Sequence, residues 1–223
     1  MTLAKRSFDL AASVGGLLVL APLMLLIAIL VKAEDGGSVF FRQERIGRGG
    51  RAFRMWKFRT MVPGASALGP SLTAAGDRRI TRTGGWLREK KLDELPQLFN
   101  VLLGEMTMVG PRPEVPKYVE MYTMQQRDVL KLAPGITDRA SILFADESEL
   151  LAEQADPERF YIEEIVPKKI RINLEYAGRA TLLNDLRVVL QTIGHVALGP
   201  ATSLRSRSWG NSCRTAGHGH RGH

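Results

Sequence analysis

The dominant apolar stretch of the chain runs from Leu10 to Val31 (LAASVGGLLVLAPLMLLIAILV) without a single charged residue. It meets the roughly 20 residues that a helix needs to cross the hydrocarbon of a bilayer, so the pattern predicts a membrane-inserted helix. A cleaved signal peptide shares the basic start, here Lys5 and Arg6, but has a shorter apolar core and a small-residue cleavage site that does not follow Val31. Pro22 sits in the middle, where it removes a backbone hydrogen bond and predicts a break or kink. Lys5 and Arg6 precede the stretch and Lys32 follows it, and cationic flanks favour the cytoplasmic side. Both flanks on that side require a re-entrant helix; a spanning helix with a tolerated proline is the other reading.

Beyond this segment, Val39–Ile46 and Ala52–Arg59 are rich in aromatic and β-branched residues and are joined by Gly47-Arg48-Gly49-Gly50, which predicts a β-hairpin. Small, nearly uncharged residues from Val62 to Asp77 predict a mobile loop. Gly84–Lys91 and Pro96–Leu103 read as helices, the second with Leu98, Phe99, Leu102 and Leu103 on one buried stripe. Because a proline suits the first turn, that helix is expected to begin near Asp93 or Leu95. Val115–Leu132 reads as one amphipathic helix stopped at Pro134-Gly135. Glu147–Gln154, Glu158–Ile172 (kinked at Pro167) and Leu182–Ala197 read as further helices. The expected fold is α+β and mainly helical: residues 1–35 a membrane-inserted helix, re-entrant or spanning, 36–200 a folded domain at the membrane surface, 201–223 a disordered basic tail.

Charge narrows the partners. A net charge of +8 and a pI of about 9.9 suit anionic partners, whether nucleic acid, nucleotides or an anionic leaflet. The cations crowd at Arg42, Arg45, Arg48, Arg51, Arg54, Lys57 and Arg59, with Glu44 the one acid among them. The single cysteine, Cys213, excludes an internal disulfide and suits a reducing compartment. Three of the four histidines, His218, His220 and His223, lie in the tail, where a solvated segment without a ligand cage is the simpler reading.

Three features could carry chemistry. Asp93 and Glu94 just before Pro96 would lie at a helix N-terminus, where free N–H groups and the dipole favour ionised carboxylates. Successive helical side chains diverge by about 100°, so separate tasks suit the pair better than one chelate. One carboxylate could attack phosphorus while its neighbour holds Mg²⁺, against the plain alternative of a capping Asp with an exposed Glu. Pro111 and Pro113 bracket Arg112 and could hold its guanidinium for bidentate contact with phosphate, although Pro-flanked arginines are common in surface loops. Lys57-Phe58-Arg59-Thr60-Met61 ends the basic hairpin and could neutralise a diphosphate, with a solvated strand edge as the alternative.

In order along the chain these blocks resemble the bacterial sugar transferases, the small monotopic phosphoglycosyl transferases. The resemblance runs through Lys5-Arg6-Ser7-Phe8-Asp9, Val39–Gly47, Lys57–Met61, Leu92-Asp93-Glu94-Leu95-Pro96-Gln97-Leu98, Asn100-Val101-Leu102 and Gly104-Glu105-Met106. It continues through Val109–Pro113 and Pro134-Gly135-Ile136-Thr137, and so covers most of residues 1–140. It implies that Asp93 attacks the sugar-bearing phosphate of a UDP-sugar, releasing UMP and leaving a covalent phosphosugar that a polyprenol phosphate then takes. It implies Glu94 as Mg²⁺ ligand, with Arg112, Pro111, Pro113, Lys57, Arg59 and Arg88 as substrate-binding residues and Pro22 as the break in a re-entrant helix. Implied partners are the UDP-sugar, a polyprenol phosphate and the bilayer, with no nucleic acid and a homodimer left open. The implied location is the bacterial inner membrane with the site on its cytoplasmic face.

Two departures limit the carry-over. Ala21-Pro22 stands where the family has Ser-Pro, and Asp138-Arg139-Ala140-Ser141 stands where many relatives have Gly-Trp-Ala-Gln, so sugar specificity does not transfer. Residues 143–200 match weakly and are expected to form amphipathic helices on the bilayer. Outside the enzyme class, a membrane-tethered nucleic-acid-binding module would use the basic hairpin but lacks a recognition motif. A non-catalytic scaffold would make Asp93 and Glu94 ordinary caps.

Overall fold

The computed structural model describes residues 2–65, 68–69 and 77–198. The predicted tail, with Cys213 and its histidines, lies outside them, as does most of the predicted loop. Helix α1 (Leu3–Asp35) opens the chain as 33 residues, about 50 Å at the usual rise per residue, and continues through Pro22. Thr2 caps its start by accepting from Lys5 N at 3.2 Å, and Gly36 ends it in the left-handed conformation with its N–H on Lys32 O at 3.0 Å.

One face of α1 is covered and the opposite face is bare. Met24, Ile27 and Val31 are buried with Phe58 and Leu87, whereas Leu18 and Val19 are 73% and 78% exposed and Leu25, Leu26 and Ile29 are also exposed. The helix is long and apolar enough to cross a membrane by length and composition.

Both ends of α1 are tied to the folded body. Near the start, Lys5 Nζ donates to Val109 O at 3.0 Å and pairs with Asp185, while Arg6 donates to Val101 O at 2.7 Å and Leu102 O at 2.9 Å. Asp9 is fully buried and accepts from Thr107 Oγ1 at 2.7 and 2.9 Å and from Met108 N at 2.9 Å. At the far end, Arg59 pairs with Asp35 at 2.9 Å, and Glu34 Oε1 accepts from Arg82 N at 2.8 Å.

The hairpin forms as predicted, with β1 (Phe40–Ile46) antiparallel to β2 (Ala52–Phe58) in the register Phe40↔Phe58 to Ile46↔Ala52. Its turn requires φ of +70° at Gly49 and +76° at Gly50, a region L side chains rarely adopt. Helices α2 (Arg82–Glu89) and α3 (Gln97–Leu103) follow. Two three-residue strands then pair in parallel, β3 (Thr107–Val109) and β4 (Gly135–Thr137). The apolar patterning did not reveal this pair, because each strand is shorter than one period-two repeat can be recognised in.

The predicted single helix over Val115–Leu132 is corrected to α4 (Pro116–Glu120) and a 3₁₀ segment at Gln126–Lys131. Thr123 and Gln126 explain the break: Gln126 N donates to Thr123 Oγ1 at 3.2 Å and Thr123 N to Gln126 Oε1 at 2.8 Å, a capping box that starts a new element. The remaining helices are α5 (Arg139–Leu143), α6 (Glu147–Ala152), α7 (Pro157–Phe160), α8 (Val166–Ala177) and α9 (Leu182–Leu198). The irregularity expected at Pro167 takes the form of a π-helical turn over Tyr161–Ile165, just ahead of it. Tyr118, Val119, Phe144, Tyr161, Ile165 and Ile170 form the main core away from α1.

Candidate active site

Asp93 and Glu94 lie in a 3₁₀ turn, Leu92–Glu94, between α2 and α3. Lys91 immediately before it has φ of +55°, the one positive value at a non-glycine among the described residues, and this left-handed step turns the chain after α2. The helix-terminus expectation is therefore corrected: side-chain cations, not backbone N–H groups, meet the Glu94 carboxylate. Lys57 Nζ on β2 donates to Glu94 Oε1 at 2.9 Å, Arg112 NH1 donates to Oε2 at 2.9 Å, and Arg112 NH2 donates to Oε1. Glu94 is neither exposed nor a cap.

The two adjacent acids have opposite electrostatics. Burial raises Glu94, but the Arg112 guanidinium and the Lys57 ammonium outweigh it and hold the carboxyl well below its ordinary range. Asp93 is 7% exposed and accepts no hydrogen bond among the described residues. Its burial pushes the carboxyl up, against the pull of Lys57. Burial likewise draws Lys57 down despite Glu94, and Glu94 raises Arg112.

The Arg112 loop is held from both sides. Gly110 N donates to Thr137 O and Pro111 O accepts from Gly135 N, each at 3.0 Å, which extends the β3–β4 pairing to the base of the loop. Glycine is needed here, since a Cβ on Gly135 would fall 2.1 Å from Gly110 N. On the other side, Arg45 NH1 donates to Pro113 O at 3.1 Å and Ile46 N to Glu114 O at 2.9 Å. Glu114 in turn accepts from Tyr161 OH and faces Arg45 at 3.7 Å.

Of the sequence candidates, then, Asp93, Glu94, Lys57 and Arg112 come together, with Pro111 and Pro113 fixing the loop. Arg88 on α2 is half-buried, has no ion pair among the described residues and pulls the Asp93 carboxyl down. Arg59 is not brought into this cluster; buried at 8% exposure, it is engaged by Asp35 at the end of α1. Arg45, Glu114 and Tyr161 were missed. Arg45 was readable: its partner Phe53 and the Phe41↔Lys57 pair put Arg45 and Lys57 on one hairpin face, whereas Arg42 stacks over Trp56 on the other. Arg45, Lys57 and Arg59 are thus turned inward, so the basic stretch is not one continuous surface patch.

Among the described residues no three His, Cys, Asp or Glu side chains gather as a metal cage. The donors present are carboxylate oxygens, of the hard type that suits Mg²⁺, an ion that binds through one or two carboxylates and completes its shell with water and substrate phosphate. Glu94 is the carboxylate here that would hold such an ion, which would share its oxygens with Lys57 and Arg112.

Fold and site define a helical α+β protein with one long apolar helix and a buried carboxylate pair set among cations. The chain belongs to the bacterial sugar transferase family, whose sequence profile matches residues 1–199. It is 35% identical over 200 residues to the UDP-N-acetylgalactosamine-undecaprenyl-phosphate N-acetylgalactosaminephosphotransferase of Aeromonas hydrophila, covering 87% of this chain and 44% of the relative. It is 38% identical over 202 residues to the undecaprenyl-phosphate glucose phosphotransferase of Komagataeibacter xylinus, covering 86% and 35%. With the exopolysaccharide production protein ExoY of Rhizobium meliloti (strain 1021) identity is 35% over 211 residues, covering 88% and 86%. The chain thus spans less than half of the first two relatives and most of the third.

Proposed function

We propose that this chain transfers a sugar 1-phosphate from a UDP-sugar to a polyprenol phosphate, with Asp93 as nucleophile. The carrying observation is a buried carboxylate without a hydrogen-bond partner among the described residues, next to a second carboxylate clamped by Lys57 and Arg112, in a chain of this family. One Asp93 oxygen attacks the phosphorus that bears the sugar, the bond to UMP breaks, and UMP leaves with the electron pair. An oxygen of the polyprenol phosphate then attacks the same phosphorus and returns the carboxylate, giving a polyprenol diphosphate sugar. Lys57, Arg88 and Arg112 neutralise the diphosphate and hold it in line; Mg²⁺ at Glu94 would supply further neutralisation of phosphate charge.

The relatives from Aeromonas hydrophila and Komagataeibacter xylinus are named as undecaprenyl-phosphate phosphotransferases, which supports a lipid phosphate acceptor here. Such an acceptor sits at headgroup depth, and the layout of α1 favours a re-entrant course. Its start bonds Val101, Leu102 and Asp185 and its end bonds Arg59, so a spanning path would set one of these contacts on the wrong side of the bilayer. Leu183, Leu190 and Ile193 on α9 and Leu103 on α3 are exposed and favour these elements as the interfacial ones. The cationic flanks of α1 favour the cytoplasmic face of the inner membrane.

The test is UMP release by the full chain in lipid nanodiscs, offered a panel of UDP-sugars with polyprenol phosphate. Turnover with ping-pong kinetics, loss of it in Asp93→Asn, and a labelled phosphosugar adduct on Asp93 are expected. Sustained turnover with no adduct on that side chain overturns the assignment.

A further inference from the structure

Asp93, Gln97 and Asn100 follow one another at i, i+4 and i+7 and are 7%, 0% and 0% exposed, a polar stripe buried where α3 meets β2. Asn100 is fully used: it accepts from Trp56 N at 2.9 Å and donates to Arg54 O at 2.9 Å and Glu105 Oε2 at 2.7 Å. Gln97 is the opposite case. Both its Oε1 and its Nε2 are buried without a hydrogen-bond partner among the described residues. Leaving such groups unpaired is destabilising, and a methionine would fill nearly the same volume without burying them. Four residues earlier, the Asp93 carboxylate, 7% exposed, accepts no hydrogen bond among the described residues.

Asp93 lies in the 3₁₀ turn and Gln97 opens α3 four residues on, with Leu95 and Pro96 between them in the right-handed helical region, a spacing at which Gln and Asp side chains can hydrogen-bond across a turn. We propose that Gln97 is a positioning residue: on donor binding its amide N–H turns to the Asp93 carboxyl oxygen that does not attack, leaving the other aimed at phosphorus. The contact persists to the carbonyl oxygen of the captured phosphosugar and is released with it. Gln97 itself gains and loses no bond or proton. This role rests on the transferase reading, and it concerns the rate of capture rather than the affinity for donor, because Gln97 acts on the nucleophile.

Gln97→Met tests it in the full chain in nanodiscs, with wild type and Asp93→Asn alongside. The expected result is an unfolding temperature at or above wild type, adduct formation slowed about 10²-fold, and KM for the UDP-sugar changed by less than about threefold. Gln97→Glu keeps the shape and removes the amide donor, and is expected to show the same loss of capture rate. Capture at the wild-type rate in either variant overturns the role, as does failure of both to fold, which would make Gln97 a core group. If wild type itself releases no UMP from any donor, the transferase reading fails and this role with it. If wild type reacts and Gln97→Met reacts equally fast, only the role of Gln97 falls.

Discussion

Arg112 grips both carboxylate oxygens of Glu94, NH1 at 2.9 Å from Oε2 and NH2 on Oε1, across 18 residues of chain. Lys57 reaches Oε1 at 2.9 Å from the hairpin, 37 residues before Glu94. One carboxylate thereby joins the three parts of the site, the β2 strand, the turn before α3 and the loop after β3. It also keeps two cations close to Asp93 without forming a direct bond to it.

Replacing Arg112 by lysine retains the charge and removes the planar fork. If the fork positions phosphate, kcat/KM for UMP release should fall by about 10²–10³-fold while circular dichroism stays unchanged. A lysine variant with wild-type kcat/KM would show that charge alone suffices.

The pH profile should be narrower than ordinary side chains give. Transfer needs Asp93 ionised and Lys57 charged; burial moves the first up from 3.8 and the second down from 10.5. Activity should therefore be lost on the acid side above 3.8 and on the alkaline side below 10.5, measured as kcat/KM against pH. Glu94 contributes to folding with the other sign from Asp93. Its folded value lies below its ordinary 4.5, so the stability it adds is full above 4.5 and disappears as pH falls through the folded value.

Asp9 holds the start of α1 through Thr107 Oγ1 and Met108 N while fully buried. Asp9→Ala leaves those donors unpaired and should lower stability by about 1–3 kcal/mol, read from unfolding in detergent. Thr107→Val should produce a smaller loss, because Met108 N still serves the carboxylate.

Thr2 and Ser38 flank α1 and are both exposed. In a Cys213→Ser background, Thr2→Cys and Ser38→Cys should each react with an impermeant thiol reagent from the cytoplasmic side only, in inverted vesicles and not in intact spheroplasts. Opposite labelling of the two sites would establish a spanning helix.

What the sequence by itself determined are the features written in local period and composition. An uncharged run long enough for a membrane dictated α1, aromatic and β-branched runs on either side of a glycine-rich turn dictated the hairpin, and the ordered blocks marked Asp93, Glu94 and Arg112. The capping box at Thr123 and Gln126 was also legible, and was hidden only by the apolar periodicity running across it. The tertiary structure decided which charges meet. Arg59 and Lys57 are two residues apart, yet one closes on Asp35 and the other on Glu94. Asp93 and Glu94 are neighbours, yet burial raises one while cations lower the other. The partnerless amide of Gln97 and the parallel pairing of β3 with β4 belong to the same kind. Local patterns report backbone propensity and which face is apolar, but ionisation and hydrogen-bond satisfaction depend on what distant elements exclude water from a side chain, and that is a property of the whole packing.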